Sequence, residues 1–569
     1  MQHRRRCRIT GVKAHWDWSR AGRGAVAGLL SGAVAVGAGQ LAAGITGANG
    51  SPVVAVGQLQ IDFTPPALKN FAISAFGSHD KLVLVSGILA VLALFAAVLG
   101  VLAMRRLAYG LAGLAVFAVI GVIAALTRPA ANAADVLPTL AAAAAGAAAM
   151  VILIHAARGA APQDSPDQVP GHQKAADPPA RLRARAPSSG VPAPPAAPAR
   201  ASDVDGALSR PLGGPDQPGR RRFLVVSAAA AGTAAAGGLG GRVLADRSSV
   251  AGARASLRIP APTHPAPALP AGADLAIPGL SPFITPNGAF YRVDTAIVLP
   301  QVAPESWMLR IHGLVAREIR ISFGQLIRRP LTEDYITLCC VSNPVGGPYI
   351  GNAKWLGASL ASLLRAAGIR AGASQLLCTS ADGFTSGVPV QAVMDGRDAL
   401  LAVAMNGTAL PVAHGFPVRM VVPGLYGYVS ACKWLTDIEV TTYHAATAYW
   451  VPRGWAAQAP IKTQCRIDVP SGSAQLAAGP VRVAGVAWAQ HKGIAAVEVR
   501  AGRGPWQQAR LAAVPGIDTW RQWVWDWHAT PGTHLIEARA TDNTGYTQTP
   551  VQAPPEPNGA TGYPAVTVT

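Results

Sequence analysis

The chain has 569 residues, enough for several domains, and a formal net charge of +19. Its mean hydropathy is positive, and the apolar residues concentrate in the first 245 positions, in Ala/Gly/Val/Leu runs flanked by arginine clusters. Positive charge at the ends of apolar runs is a membrane pattern, and no basic patch interleaved with aromatics is present to bind nucleic acid. The six cysteines, Cys7, Cys339, Cys340, Cys378, Cys432 and Cys465, form no CxxC pair, which excludes zinc ribbons, c-type haem and the common iron–sulfur spacings.

Five apolar stretches, 25–45, 82–103, 107–126, 136–157 and 223–245, are long enough to cross a bilayer, which takes about 20 residues. A single one reads equally well as a buried core helix; five in the first half of the chain favour spans. The Lys/Arg balance orients them. Arg4, Arg5, Arg6, Arg8, Lys13, Arg20 and Arg23 precede the first stretch, Arg105 and Arg106 separate the second from the third, and a further basic set from Arg158 to Arg222 follows the fourth. The intervening loops, 46–81 and 127–135, hold only Lys69, Lys81 and Arg128. The N-terminus is therefore expected in the cytoplasm and the chain beyond the fifth stretch outside.

The 158–222 segment is Pro/Ala-rich with scattered charge and reads as a flexible linker. It ends in Arg220-Arg221-Arg222-Phe223-Leu224, which resembles an internal twin-arginine export signal; the plainer reading is a basic anchor to the helix that follows. A second Pro/Ala linker covers about 246–275. From 280 onward short alternating runs such as Trp307-Met-Leu-Arg-Ile-His and Pro417-Val-Arg-Met-Val-Val predict strands, with a helical patch at 357–367, so this part is α+β. Beyond about 460 the pattern is almost wholly strand and turn, which predicts an immunoglobulin-type β-sandwich.

The informative block is Thr337-Leu-Cys-Cys-Val-Ser-Asn-Pro-Val-Gly-Gly, followed by Gly351-Asn-Ala-Lys-Trp-Leu-Gly. A single thiolate at a strand end, before a Gly-rich turn, suits a soft metal that needs one protein sulfur; a lone cysteine is also often a small buried hydrophobe. The block resembles the cysteine loop of the sulfite oxidase family of molybdopterin enzymes, especially its membrane-anchored actinobacterial group. Ile284-Thr-Pro-Asn-Gly-Ala-Phe-Tyr-Arg, His414-Gly-Phe-Pro-Val-Arg with the segment through Lys433-Trp434, and the tail with Gly485-Val-Ala-Trp-Ala extend the resemblance over 280–569.

The resemblance implies one molybdenum–molybdopterin group, with Cys340 as metal ligand and Cys339 a bystander. It implies pterin contacts at Asn287, Phe290, Tyr291, Ser380, Asp382, His414 and Arg419, and a phosphate-side loop at Gly427, Ser430 and Lys433. Arg292 is the candidate substrate-anion arginine, matched with a one-residue shift. The family's metal-side tyrosine has no clear counterpart in the Tyr449–Trp455 stretch. Arg419 lies in an apolar strand, where an unpaired charge is costly.

The expected fold is multi-domain: four transmembrane helices over 1–157, a disordered cytoplasmic linker over 158–222, and a fifth transmembrane helix over 223–245. A linker over 246–275, an α+β molybdopterin oxidoreductase domain over 276–458 and an immunoglobulin-like C-terminal domain of dimerisation type over 459–569 complete it. The expected function is oxygen-atom transfer on sulfite or a similar small anion. A sulfoxide or other oxo-substrate reductase, and a non-catalytic surface protein with an Ig-like module, are the alternatives. CxxCH and HPGG are absent and the apolar stretches contain only His155, so neither haem nor an iron–sulfur cluster is expected and electrons would pass to a separate protein. A homodimer through the tail is a further expectation.

Overall fold

The computed structural model describes residues 18–47, 51–64, 80–128, 131–159, 218–247 and 249–569. Cys7 and the arginines of the N-terminal tail before Arg20, Lys69, and most of the linker, 160–217, lie outside the described residues. The apolar runs form α1 (Trp18–Thr46), α2 (Pro52–Phe63), α3 (Asp80–Arg105), α4 (Leu107–Leu126), α5 (Leu137–Gly159) and α6 (Pro218–Arg247). Among the described residues, five helices are long and apolar enough to cross a membrane. These are the five expected stretches. The twelve-residue α2 was not expected, being too short and too weakly patterned to stand out.

Helix α1 packs against α3, α5 and α6. Small residues let the backbones approach: a Cβ on Gly28 of α1 would overlap the Ala96 carbonyl of α3. Arginines gather at one end of the bundle. Arg20 donates to the Met104 carbonyl and Arg158 to the Ala103 carbonyl (2.6 Å), closing the C-terminal end of α3 where carbonyls lack helical partners.

The α+β part expected to be catalytic is built on two five-stranded sheets. One runs β2 (Ile319–Ser322), β1 (Met308–Gly313), β10 (Leu435–Thr441), β5 (Gln375–Ser380), β6 (Thr385–Pro389), with β1 and β10 parallel. The other runs β3 (Leu331–Cys339), β4 (Ile350–Ser359), β7 (Leu400–Met405), and β7 also pairs with β8 (Thr408–Ala409) and β9 (Arg419–Val421). Both contribute to one apolar core that includes Trp307, Leu338's neighbour Cys339, Leu401 and Ile438. The expected helical patch is α7 (Leu360–Ala367), whose Ser359 cap accepts from the Ser362 N–H, with its first three positions absorbed into β4.

The tail forms two four-stranded antiparallel sheets. They are β11 (Gln464–Val469), β12 (Gly479–Trp488), β16 (Arg521–Ala529), β15 (Arg510–Leu511), and β14 (Gln507–Gln508), β13 (Ile494–Ala501), β17 (His534–Asp542), β18 (Ala565–Val568). Both sheets supply residues to a second core around Val483, Val497, Trp523 and Ile536. The tail also reaches into the catalytic part: Trp520 donates its indole N–H to the Phe283 carbonyl (2.9 Å), and its backbone N–H to Thr337 Oγ1 (2.7 Å).

The stretch expected as a linker at 246–275 is held against the catalytic part. Arg254 donates to the carbonyls of Leu410 (2.7 Å) and Ala409 (2.8 Å), the Thr263 and His264 N–H groups donate to Leu331, and Leu275 donates to Gln522 Oε1. Backbone polar groups thus find partners although the Pro/Ala composition supplies little apolar surface.

Candidate active site

Strand β3 is fixed in place by a buried polar clamp. Thr337 Oγ1 donates to Asn352 Oδ1 (2.9 Å), Asn352 Nδ2 donates to the Phe283 carbonyl (2.9 Å), and Gln490 of the tail donates to the Thr337 carbonyl (3.0 Å). Buried amides without partners are costly, so this clamp sets where β3 ends, and Cys340 is the next residue. The turn after it is closed by Asn343, whose Oδ1 accepts from the Tyr349 N–H (2.8 Å). A Cβ on Gly347 would stand 2.5 Å from that oxygen, so the second glycine of the pair is required. Arg466 of the tail holds the same turn through the Gly347 carbonyl (2.9 Å).

Cys340 is 7% exposed and Cys339 1%. The Cys340 sulfur is 2.9 Å from Ser342 Oγ. Burial pushes its thiol up, while the Ser342 hydroxyl and the charge of Lys433 draw it back. Burial raises Tyr291 too, with Cys340 adding to the shift and Arg419 opposing it. These mutual influences place Cys340, Tyr291, Lys433 and Arg419 in one neighbourhood.

The cations there are unevenly paired. Asp294, 4% exposed, takes both Arg292 (2.8 Å) and Lys433 (2.7 Å). Arg419, also 4% exposed, has carbonyl partners at His414 (3.2 Å), Ala431 (3.2 Å) and Met420 (3.4 Å), lies 5.0 Å from the Trp355 ring centroid, and has no carboxylate partner among the described residues. Burial lowers its guanidinium to about 10. Lys433 falls to about 8 by burial, although Asp294 works the other way. Two of these cations therefore share one carboxylate, and the third, Arg419, pairs with none among the described residues.

His414 joins the same group. Its Nε2 is 3.1 Å from the Asn287 carbonyl, and its ring meets Phe290 edge-on at 5.5 Å. Burial, followed by the charges of Arg419 and Lys433, lowers it to about 4. Phe290 also stacks on Tyr291 (5.3 Å) and meets Trp355 edge-on (5.8 Å). Gly351 is needed beside it, because a Cβ there would come within 2.9 Å of the Phe290 ring.

Other expected residues are differently placed. The Asn287 amide is already committed, with Oδ1 accepting from Asn406 (2.8 Å) and Nδ2 donating to Met405 and Thr408. Ser430 donates its hydroxyl to the Leu425 carbonyl (2.9 Å), inside the one-turn helix that Gly427 opens. Arg292 is 38% exposed and bound to Asp294 rather than free. Ser380, at the end of β5, is buried with no partner for its hydroxyl, and Asp382 accepts from the Phe384 N–H (3.2 Å) in the following turn. Sequence reasoning missed Asp294, Ser342 and Trp355 as members of the cluster. Only the Arg-x-Asp spacing at 292–294 offered a local signal for the first.

The residues fit an anionic, sulfur-bearing group. Among the described residues Arg419 is a buried charge lacking a counter-charge and Ser380 Oγ and Asn343 Nδ2 are buried polar atoms without partners, and Cys340 offers a thiol at the edge of the same cluster. A fold and cluster of this kind define a molybdopterin-binding oxidoreductase. Residues 296–450 match the family described as the oxidoreductase molybdopterin binding domain. The chain is 31% identical to the sulfite oxidase of Gallus gallus over 325 residues, 48% of this chain and 69% of that protein. It is 32% identical to the NADH nitrate reductase of Cichorium intybus over 194 residues, 29% of this chain and 21% of that protein. It is similar to the crystal structure of the sulfane dehydrogenase SoxCD from Paracoccus pantotrophus, with TM-score 0.42 and 26% identity over 47% of this chain and 74% of that one. The chain belongs to the sulfite oxidase family of molybdopterin-dependent oxidoreductases.

The depressed His414 value has a pH consequence. The unfolded imidazole takes up a proton near 6.5, whereas the folded one does so only at about 4. Between these values the unfolded state binds more protons, so the cofactor-free chain loses stability as pH falls through this window. Burial pushes the Asp334 carboxyl up to about 7, which works the other way over the same window, so the His414 share is read as a difference: the melting temperature of His414→Gln should rise relative to that of the parent as pH falls from 7 to 5.

Proposed function

We propose that this chain is a membrane-anchored, extracytoplasmic molybdopterin oxidoreductase that transfers an oxygen atom on sulfite or a similar small substrate, with Cys340 as the metal ligand. The buried Arg419, lacking a carboxylate partner, carries the reading, because an anionic cofactor supplies the missing counter-charge. When bound, the molybdenum–pterin group supplies the two-electron centre for oxygen-atom transfer. The chain's own residues then have distinct tasks. Arg419 and Lys433 neutralise and orient the anion, neutral His414 offers a ring nitrogen without adding charge, and Phe290 and Tyr291 wall the site against water. Cys340 gives its proton up on ligation, which Lys433 assists by favouring the thiolate. Asn287 positions His414 through its carbonyl.

Arg292 favours a second reading of the substrate. Its charge is answered by Asp294, so a neutral sulfoxide or other oxo substrate suits the site as well as sulfite does. The arginines at one end of the bundle support a cytoplasmic position for that end, and Arg220–Arg222 at the start of α6 support twin-arginine export. The two tail sheets support an immunoglobulin-like sandwich able to mediate a homodimer. The domain limits at 157, 222, 245, 275 and 458 belong to the same reading. So do molybdenum as sole redox centre and a separate electron-transfer partner.

Cys340→Ser should abolish the molybdenum electron paramagnetic resonance signal and turnover, while Cys339→Ser keeps both; the reverse result would move the ligand by one residue. Arg419→Met should cut molybdopterin content at least tenfold, yet raise the melting temperature of the cofactor-free chain by several degrees, since it removes an uncompensated buried charge. Protease added to intact spheroplasts should release a fragment of roughly 300 residues, counted from the export side of a helix about 1.5 Å per residue long. Replacing Arg220 and Arg221 by Lys should leave that fragment protected.

A further inference from the structure

The helical bundle contains a cleft that anchoring does not use. It has a volume of about 160 Å³ and lies among α1, α2, α3, α4 and α5, with walls that include Val36, Leu92, Leu114 and Phe117. A cavity of roughly 150 Å³ takes one benzene-sized ring. The wall residues Val36, Leu92 and Phe117 are only partly buried, so an occupant can enter from the side of the bundle. An acyl chain would satisfy those walls, but three polar side chains stand among them: Gln40, Ser51 and Thr139. Ser51 is 2% exposed and Thr139 4%. Neither hydroxyl has a hydrogen-bond partner among the described residues. Thr139 sits inside α5, where a hydroxyl ordinarily turns back to a carbonyl of the preceding turn. Two buried hydroxyls left unpaired in an apolar surround are costly unless an oxygen-bearing ligand meets them.

Helix α2 ties this cleft to the catalytic part. Pro52, Val53 and Val56 line it from one side of α2. Val54 and Gln58, on another side, line a second crevice with Thr295–Val298, Asp382 and Tyr449. A Cβ on Gly57 would touch the Ile297 side chain. The cleft is therefore separated from the catalytic part by the thickness of one helix, about 10 Å.

We propose that the cleft between α1, α2, α4 and α5 binds the head ring of a membrane quinone, with Ser51 and Thr139 donating to its carbonyl oxygens. This deepens the proposed function by naming the chemistry of the electron partner, and it rests on that reading only for the direction of electron flow. Addition of a water oxygen to a substrate releases two electrons and two protons. A quinone consumes the same two electrons and two protons in becoming a hydroquinone, so the exchange balances without another co-reactant.

The test is titration of the full-length holoenzyme in detergent with decylubiquinone, using decylbenzene as a competitor that has a ring and tail but no carbonyls. Saturable one-to-one binding is expected. Thr139→Val and Ser51→Ala should each weaken it about three- to tenfold, the range of one hydrogen bond. Thr139→Ser should retain it, and the elution profile of each variant checks the fold. Partition without saturation, equal displacement by decylbenzene, or parental affinity in both Thr139→Val and Ser51→Ala would overturn the proposal and leave an apolar lipid crevice. Molybdenum content and sulfite turnover with ferricyanide, measured on the same preparations, report on the oxidoreductase reading separately. Their loss in the parent protein would sink that reading, while the binding result stands by itself.

Discussion

A guanidinium buried without a carboxylate is the constraint around which the catalytic part is arranged. Arg419 stands on a three-residue strand between Val418 and Met420, both fully buried, and its charge cannot reach water. The chain meets the geometric half of its needs with three carbonyls and the face of Trp355. It does not meet the electrostatic half among the described residues, where the carboxylate of Asp294 is already shared by Arg292 and Lys433. Desolvation of an unanswered charge costs several kcal/mol. That cost is tolerable in a protein whose family binds an anionic pterin, and it ties the occupied state of the site to the stability of the whole catalytic part.

The tail is part of this arrangement. Trp520 and Gln490 close the clamp around Thr337, and Arg466 pins the turn that follows Cys340. The position of Cys340 therefore depends on strands more than a hundred residues further along the chain. Loosening the tail would disturb the end of β3 and the turn that carries Cys340.

Much of this was legible in the sequence where a signal is local. The five long apolar helices are continuous runs, and the strands β1, β12, β13 and β17 follow alternating patterns. The block from Thr337 to Gly347, the Gly351–Gly357 stretch and the His414–Lys433 segment marked the family, and residues of the first two answer specific needs: Asn352 clamps, Gly347 makes room, Trp355 backs a cation. What escaped was non-local. Asn287 was read as a pterin contact and Ser430 as part of the phosphate-side loop; that their side chains also bond Asn406 and the Leu425 carbonyl is something no spacing rule reports. Arg292 has its partner two residues away, which was visible, but that Lys433 competes for the same carboxylate was not. The stretch 249–275 has the composition of a linker, since composition records apolar area and not the backbone hydrogen bonds that fix it.

That fixed stretch has a mechanical consequence. Helix α6 ends at Arg247, and by Val250 the chain is already bound, with its N–H held by Gln301. Three residues span at most about 11 Å. The leash between the last apolar helix and the catalytic part is therefore about as long as one helix with its side chains is wide, roughly 10–12 Å. A body on such a leash cannot tumble freely; it pivots. Its point of attachment stays within that distance of the end of α6, so encounters between the two become events on a surface and not collisions in bulk solvent.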